Sequence, residues 1–284
     1  MLQRHFILGS EWVYYKIYTG VSVADIFLEE QMLPLTNGLL KENIIDQWFF
    51  IRYKDPDFHL RVRFHLKDIG RIGELLIKME GVLHEYIAQD LIWKVQNDTY
   101  SREIERYGAS FYNDVETLFY INTKQTLGLL SLIEGAEGEE IRWLFGLKSI
   151  DQILNIYFEA NLEQKMRFAK LLANKFADEF KMDKLLRNQI NTKFKNSHQK
   201  IVDFLNCQDK SSDYQAVYQL LDEPEPEIRE LIIKINISEH VLGSIIHMMM
   251  NRLFKSKNRL HELLMYQFLF LYYRAESYRQ KYRF

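Results

Sequence analysis

Residues 47–66 read QWFFIRYKDPDFHLRVRFHL, and this stretch restricts the fold more than any other. Two β-rich arms, 47–54 and 58–66, flank the breaker DPD, in which Pro56 sets φ and the aspartates stabilise the bend. Side chains alternate across a strand, so His59, Arg61, Arg63 and His65 share one face and Leu60, Val62 and Phe64 the other. The aromatic segment 11–20 and the segment 90–98 read as two further strands. Residues 22–42 and 69–87 carry apolar residues at helical spacing. Ser22 is the expected N-cap of the first helix, and Pro34 an interruption within it. The order β-α-β-β-α-β predicts a ferredoxin-like sheet with both helices on one face and the other face free.

Beyond about residue 110 strand-like alternation becomes scarce. Residues 112–132, 151–178 and 258–280 have helical periodicity, and Pro224 and Pro226 mark a turn with the second proline near a helix start. The expected class is therefore α+β, a ferredoxin-like N-terminal half (1–110) packed on a mainly α-helical C-terminal half (111–284), the two forming one domain. A 47% hydrophobic share of 284 residues is enough for a substantial core. The net charge of −2 gives no reason to expect direct nucleic-acid binding or attachment to a membrane surface. The apolar run 263–273 is about half the length that spans a bilayer. With the lone Cys207 and no secretory signal at the N-terminus, the chain reads as a protein of the reducing cytoplasm, without disulfides.

Three stretches can carry chemistry, and each also has a purely structural reading. The row His59, Arg61, Arg63 and His65 is either a solvated sheet face or an anion clamp, because guanidinium forks bind carboxylates bidentately. Lys16, Arg52, Lys94 and Gln96 on other strands are candidates to join it. In SREIERYG (101–108), Arg102 and Arg106 lie one turn apart and Gly108 marks a stop, as in a short helix held by local ion pairs. In SEHVLGSIIHMMMNRLF (238–254), Ser238 is the expected N-cap of a helix apolar nearly all round and therefore buried. There His247 is either a core histidine satisfied by one hydrogen bond or a proton carrier, with Asn251 one turn away. Phosphate-binding glycine loops, nucleophile elbows and zinc signatures are not found in the sequence, and the methionine triplet 248–250 reads as core filler.

The segments GSEWVYYKIYTG, WFFIRYKDPDFHLRVRFH, WKVQNDTYSREIERYG and IIHMMMNRLF follow one another in this order. Together they resemble the C-terminal domain of lantibiotic dehydratases, a family that includes free-standing proteins of thiopeptide-type bacteriocin biosynthesis. The resemblance runs essentially end to end, with one departure: Ala109 stands where the family has a second glycine. It implies elimination of glutamate from glutamylated Ser or Thr of a ribosomal precursor peptide, leaving dehydroalanine or dehydrobutyrine, with no cofactor and no metal. At this length it also implies the elimination half of a split dehydratase, working with a separate glutamyl-tRNA-dependent glutamylating protein; a homodimer is left open. Arg63, Arg102 and His247 are the expected catalytic residues. Arg61, Arg106, Asn251, His59 and Arg52 are the expected substrate-binding residues. Two other readings stay open: a pyridine-forming cyclase acting on a dehydroalanine-containing peptide, and a non-catalytic peptide-binding subunit gripping its partner through the basic stretch 165–200.

Overall fold

A computed structural model describes residues 2–208 and 212–282. They fall into two compact units, Met1–Ser131 and Leu132–Phe284. The class is α+β.

In the first unit the chain runs through β1 (His5–Phe6), β2 (Trp12–Thr19), α1 (Val21–Phe27), a π-helical turn (Leu28–Met32), α2 (Leu33–Lys41), β3 (Ile45–Lys54) and β4 (Phe58–Leu66). It continues through α3 (Ile72–Ala88), β5 (Ile92–Asn97), β6 (Tyr100–Ser101), α4 (Ile104–Tyr107) and α5 (Tyr112–Leu130). The main sheet has the order β3-β4-β2-β5 with every neighbour antiparallel, which is the split βαβ arrangement expected from the element order. β1 and β6 form a separate two-stranded ribbon.

One local expectation changes, at Ser22, and the expected interruption at Pro34 is present. The chain passes from β2 into α1 at Gly20, which takes the N-cap position, so Ser22 lies inside the helix rather than capping it. Pro34 sits at the start of α2, directly after the π turn. Proline has no N–H to donate and its ring crowds the preceding turn, and the wider turn absorbs both faults.

The register places Tyr14 and Phe49 on either side of Arg63, Lys16 and Ile51 beside Arg61, and Tyr18 and Tyr53 beside His59. The opposite face carries Val13, Ile17, Trp48, Phe50, Leu60, Val62 and Phe64, all buried. Helix α3 covers that side, where Met79 and Leu83 line a groove with Tyr15 and Val95. The other face is not left free along its whole length. Tyr100 packs against Phe6, Trp12 and Phe49, and Phe119 of α5 meets Phe49 edge-on at 5.4 Å. Each such aromatic pair contributes about 0.5–1.5 kcal/mol beyond its buried area. Packing against β3 keeps α5 with the sheet, so the units divide after Ser131 and not at residue 110, where the periodicity changes.

The second unit comprises α6 (Gly135–Tyr157), α7 (Leu162–Glu179), α8 (Lys184–Leu205), α9 (Ser212–Asp222), α10 (Glu225–Ile235), α11 (Glu239–Leu253) and α12 (Asn258–Lys281). The helical stretch 151–178 is shared between two helices, α6 and α7. Glu159 and Ala160 take positive φ, and Asn161 restarts the chain as an N-cap, its side chain accepting from the Gln164 N–H. Helix α12 packs along α7 and also touches α6, α8 and α11. A buried polar knot ties three of these helices: Lys165 donates to Asp151 at 2.7 Å and to Asn155 at 2.5 Å, and the Tyr273 hydroxyl donates to Asp151 at 2.7 Å. Lys165, the first residue of the basic stretch, is thus committed to the core. Among the described residues no helix is long and apolar enough to cross a membrane.

Candidate functional site: an aromatic-caged arginine and a carboxylate-held histidine

Strand alternation, turn and register together carry Arg63 to the middle of the aromatic-lined face. It is only 8% exposed. Its guanidinium carbon lies 4.6 Å from the Tyr14 ring centre, 4.8 Å from Tyr100 and 5.3 Å from Phe49. Among the described residues no carboxylate pairs with it, and its buried Nε has no hydrogen-bond partner. Burying a cation without a counter-ion costs several kcal/mol. Aromatic faces return about 0.5–2 kcal/mol each, which offsets only part of that cost. The result is a preformed positive charge whose unmet demand is for an anion. Burial raises the Tyr14 hydroxyl pKa, while the charges of Arg63, Arg61 and Lys16 act in the opposite sense.

Arg61 lies one alternation away. Its guanidinium stacks 3.4 Å over Tyr53, and its Nε donates to His59 Nε2 at 3.2 Å. His59 is fully buried, its ring tilted against Tyr18 with centres 4.6 Å apart, and its Nδ1–H donates to the Asp57 carbonyl at 2.9 Å. A carbonyl only accepts, so this bond sets the tautomer and leaves Nε2 as the acceptor for Arg61. His59 is therefore a support for Arg61. His65 is held by Asp46 at 2.7 Å and rests against Trp12.

Burial, followed by the Arg61 and Lys16 charges, holds the His59 imidazole below its ordinary value, against the opposing Asp57 carbonyl and Asp55. The unfolded chain thus takes up a proton that the folded chain resists. Stability from neutral His59 is fully present above about pH 6.5 and is lost as pH falls through the lowered folded value. Denaturant midpoints should be flat above about pH 7 and decline below about pH 6.5. His261, also held low by burial, adds to the same trend. Part of the slope should disappear in His59→Asn; an unchanged slope in that variant would rule out the assignment.

The remaining arginines are committed to acids. Arg52, expected beside Arg61 and Arg63, lies on the opposite face and is buried in an ion pair with Asp25 of α1 at 2.5 Å. Its register partner is Leu60, so the alternation that presents Arg63 sends Arg52 to the helix-covered side. Arg102 is buried and saturated. Its Nε and Nη2 grip both oxygens of Glu116 at 2.8 and 2.5 Å, Nη2 also reaches Asn113, and Nη1 donates to the Gln3 carbonyl. Burial opposes the Arg102 charge, but the Glu116 hydrogen bonds and charge outweigh it and raise the pKa. Glu116 also accepts from the Tyr100 hydroxyl at 2.6 Å, so this pair positions one wall of the Arg63 cage. Arg102 precedes α4 rather than lying within it. Arg106 pairs with Glu103 at 2.9 Å on the surface.

His247 and Asn251 belong to the helical unit. Ser238 caps α11 as expected, accepting from the Val241 N–H. His247 Nδ1 lies 2.6 Å from Glu262 Oε1 of α12. The Asn251 carbonyl accepts from the Asn258 side chain at 3.0 Å. The sheet face thus brings together His59, Arg61 and Arg63 of the expected set, whereas Arg52 faces away from them.

Sequence reasoning missed Tyr14, Phe49, Tyr53 and Tyr100 as walls, and Glu116 and Glu262 as anchors. The two acids carried a readable sign. Glu116 falls on the buried stripe Tyr112, Phe119 and Thr123, and Glu262 on the stripe Tyr266, Leu269 and Tyr273. An acid on an apolar helical stripe requires a partner.

A split βαβ sheet with an aromatic-caged arginine on one face, joined in sequence to a helical unit bearing a carboxylate-held histidine, defines the class as α+β. Residues 12–273 match the family described as lantibiotic biosynthesis dehydratase, C-term. The chain belongs to that family. It is similar to the subtilin biosynthesis protein SpaB of Bacillus subtilis, with 27% identity over 265 residues, which is 88% of this chain and 24% of SpaB. The chain thus spans about a quarter of that relative's length. Its fold is similar to that of the tRNA-dependent lantibiotic dehydratase MibB from Microbispora sp. 107891, with TM-score 0.73 and 19% identity over 98% of this chain and 29% of that one. It also resembles TbtD, a pyridine synthase from thiomuracin biosynthesis, with TM-score 0.57 and 11% identity over 95% of this chain and 99% of that one.

Proposed function

We propose that this chain eliminates glutamate from glutamylated Ser or Thr of a ribosomally made precursor peptide, in concert with a glutamyl-tRNA-dependent glutamylating protein. The observation that carries the reading is Arg63, a buried cation among three rings that pairs with no carboxylate among the described residues. In the elimination a base takes the Cα proton, the electron pair forms the Cα–Cβ double bond, and the Cβ–O bond breaks to release glutamate as a carboxylate. Negative charge grows on the adjoining carbonyl oxygen and on the leaving carboxylate, and fixed guanidinium groups stabilise both more in the transition state than in the ground state. Arg63 serves the developing anion and Arg61 assists it. His247 is assigned the proton. Arg102 acts through Glu116 and Tyr100 as a positioning residue. Family membership and the 27% identity to a subtilin biosynthesis protein support the reading.

The test is to incubate purified protein with a glutamylated precursor and follow its intact mass. Conversion of ester to dehydroamino acid, with one glutamate released per site, is the expected result. An ester that persists with its correct peptide would overturn the proposal. A product in which two dehydroalanines have joined into a pyridine with loss of the leader would assign the chain to cycloaddition.

A further inference from the structure

We infer that Glu262 is the positioning residue of His247, holding the imidazole as the Nδ1–H tautomer with Nε2 directed outward to exchange the proton. The inference rests on the proton role given to His247 and extends it to a residue that the sequence motifs do not include.

Three observations carry it. First, Glu262 Oε1 and His247 Nδ1 are 2.6 Å apart, a charge-assisted distance. An ionised carboxylate can only accept, so Nδ1 carries the hydrogen and the lone pair of the neutral ring is left on Nε2. Second, burial differs between the partners: the Glu262 side chain is 1% exposed and that of His247 is 25% exposed. The acid lies inside and the imidazole bridges from it toward the surface. Third, the hairpin between the two helices is braced on both sides. Asn258 donates to the Asn251 carbonyl, and His261, adjacent to Glu262, stacks flat on Phe254 at 3.9 Å. These contacts hold together the two helix ends that carry the imidazole and its acceptor.

Arg259, whose charge also reaches Glu262, directs its hydrogen bonds to another acid. Glu179 of α7, which also senses His247, is paired with Arg259 and lies near Lys175. Arg259 is additionally stacked over Phe176 at 4.9 Å. Glu262 is thus the carboxylate in contact with the ring. A buried carboxylate is a poor way to stabilise a helix pair, since apolar side chains of similar volume do as well or better. Its usefulness lies in fixing a tautomer and stabilising the imidazolium once the proton has been taken.

The experiment has two readouts on the full chain. In the wild type, imidazole nitrogen shifts of the neutral ring should show His247 carrying its hydrogen at Nδ1 and bare at Nε2. Glu262→Gln should give a mixture of tautomers, and Glu262→Asp should restore much of the Nδ1–H form. In the elimination assay, Glu262→Gln should lower kcat by about 100-fold or more with KM little changed, because the wrong tautomer cannot exchange the proton. A wild-type His247 whose neutral ring carries its hydrogen on Nε2 overturns the inference, whatever the chain's reaction. A normal kcat in Glu262→Gln also overturns it. If the tautomers behave as expected but His247→Ala still eliminates glutamate, the failure lies in the proton role and not in the positioning.

Discussion

Replacing Arg63 with methionine should abolish nearly all glutamate elimination while leaving the protein at least about as stable as the wild type. Loss of one preorganised charge that acts on a developing anion lowers the rate by about 10²–10³-fold, equivalent to roughly 2.7–4 kcal/mol. Stability should move the other way or hardly at all. Among the described residues the Arg63 guanidinium has no ion pair to lose and its buried Nε no partner, and methionine fills a similar volume between Tyr14, Phe49 and Tyr100. Removing the desolvated charge gains what the three cation–π contacts give up. Arg63→Lys should also lose most activity, because a compact ammonium neither spreads across three rings nor offers a planar fork. Denaturant unfolding and single-turnover elimination on the same preparations would test this. A Met variant that unfolds, or one that still eliminates glutamate at near wild-type rate, would show that Arg63 is there for the fold.

The second large effect should fall on stability. Glu116→Ala removes the acid that neutralises Arg102 and accepts from Tyr100, leaving a buried charge without its counter-ion and a buried hydroxyl without its acceptor. Breaking one side of such a pair costs about 3–5 kcal/mol. That is a large part of the 5–15 kcal/mol that holds a typical domain together. The double variant Arg102→Met with Glu116→Leu removes both charges and should recover most of the loss, since an apolar pair of similar volume is neutral or better. A Glu116→Ala variant within about 1 kcal/mol of wild type in chemical denaturation would contradict the buried-pair reading. The double variant also separates the roles of the two arginines. If Arg102 acts only by positioning Tyr100, elimination in the refolded double variant should fall far less than in Arg63→Met.

Much of this architecture follows from short-range periodicity. Alternation in 59–65 puts His59, Arg61 and Arg63 on one face because a strand's side-chain period is two, whatever lies around it. The element order 11–98 leads to the split βαβ sheet because the connections are short and regular. Ser238 caps α11 through a bond spanning three residues. Where a break depended on subtler cues, as at Glu159–Asn161 between α6 and α7, periodicity alone ran through it.

The state of each charge was a different matter. Arg52, Arg61, Arg63, Arg102 and Arg106 all looked eligible for one anion pocket, and sequence spacing does not rank them. The ranking depends on where acids arrive after folding. Asp25 reaches Arg52 across 27 positions, and Glu116 reaches Arg102 across 14. Glu262 meets His247 across 15, and nothing acidic among the described residues pairs with Arg63. Local sequence therefore determined which side chains share a face, because strand and helix geometry repeats every few residues. Tertiary structure decided which of them keeps an unmet charge, because counter-ions and desolvation come from segments far along the chain.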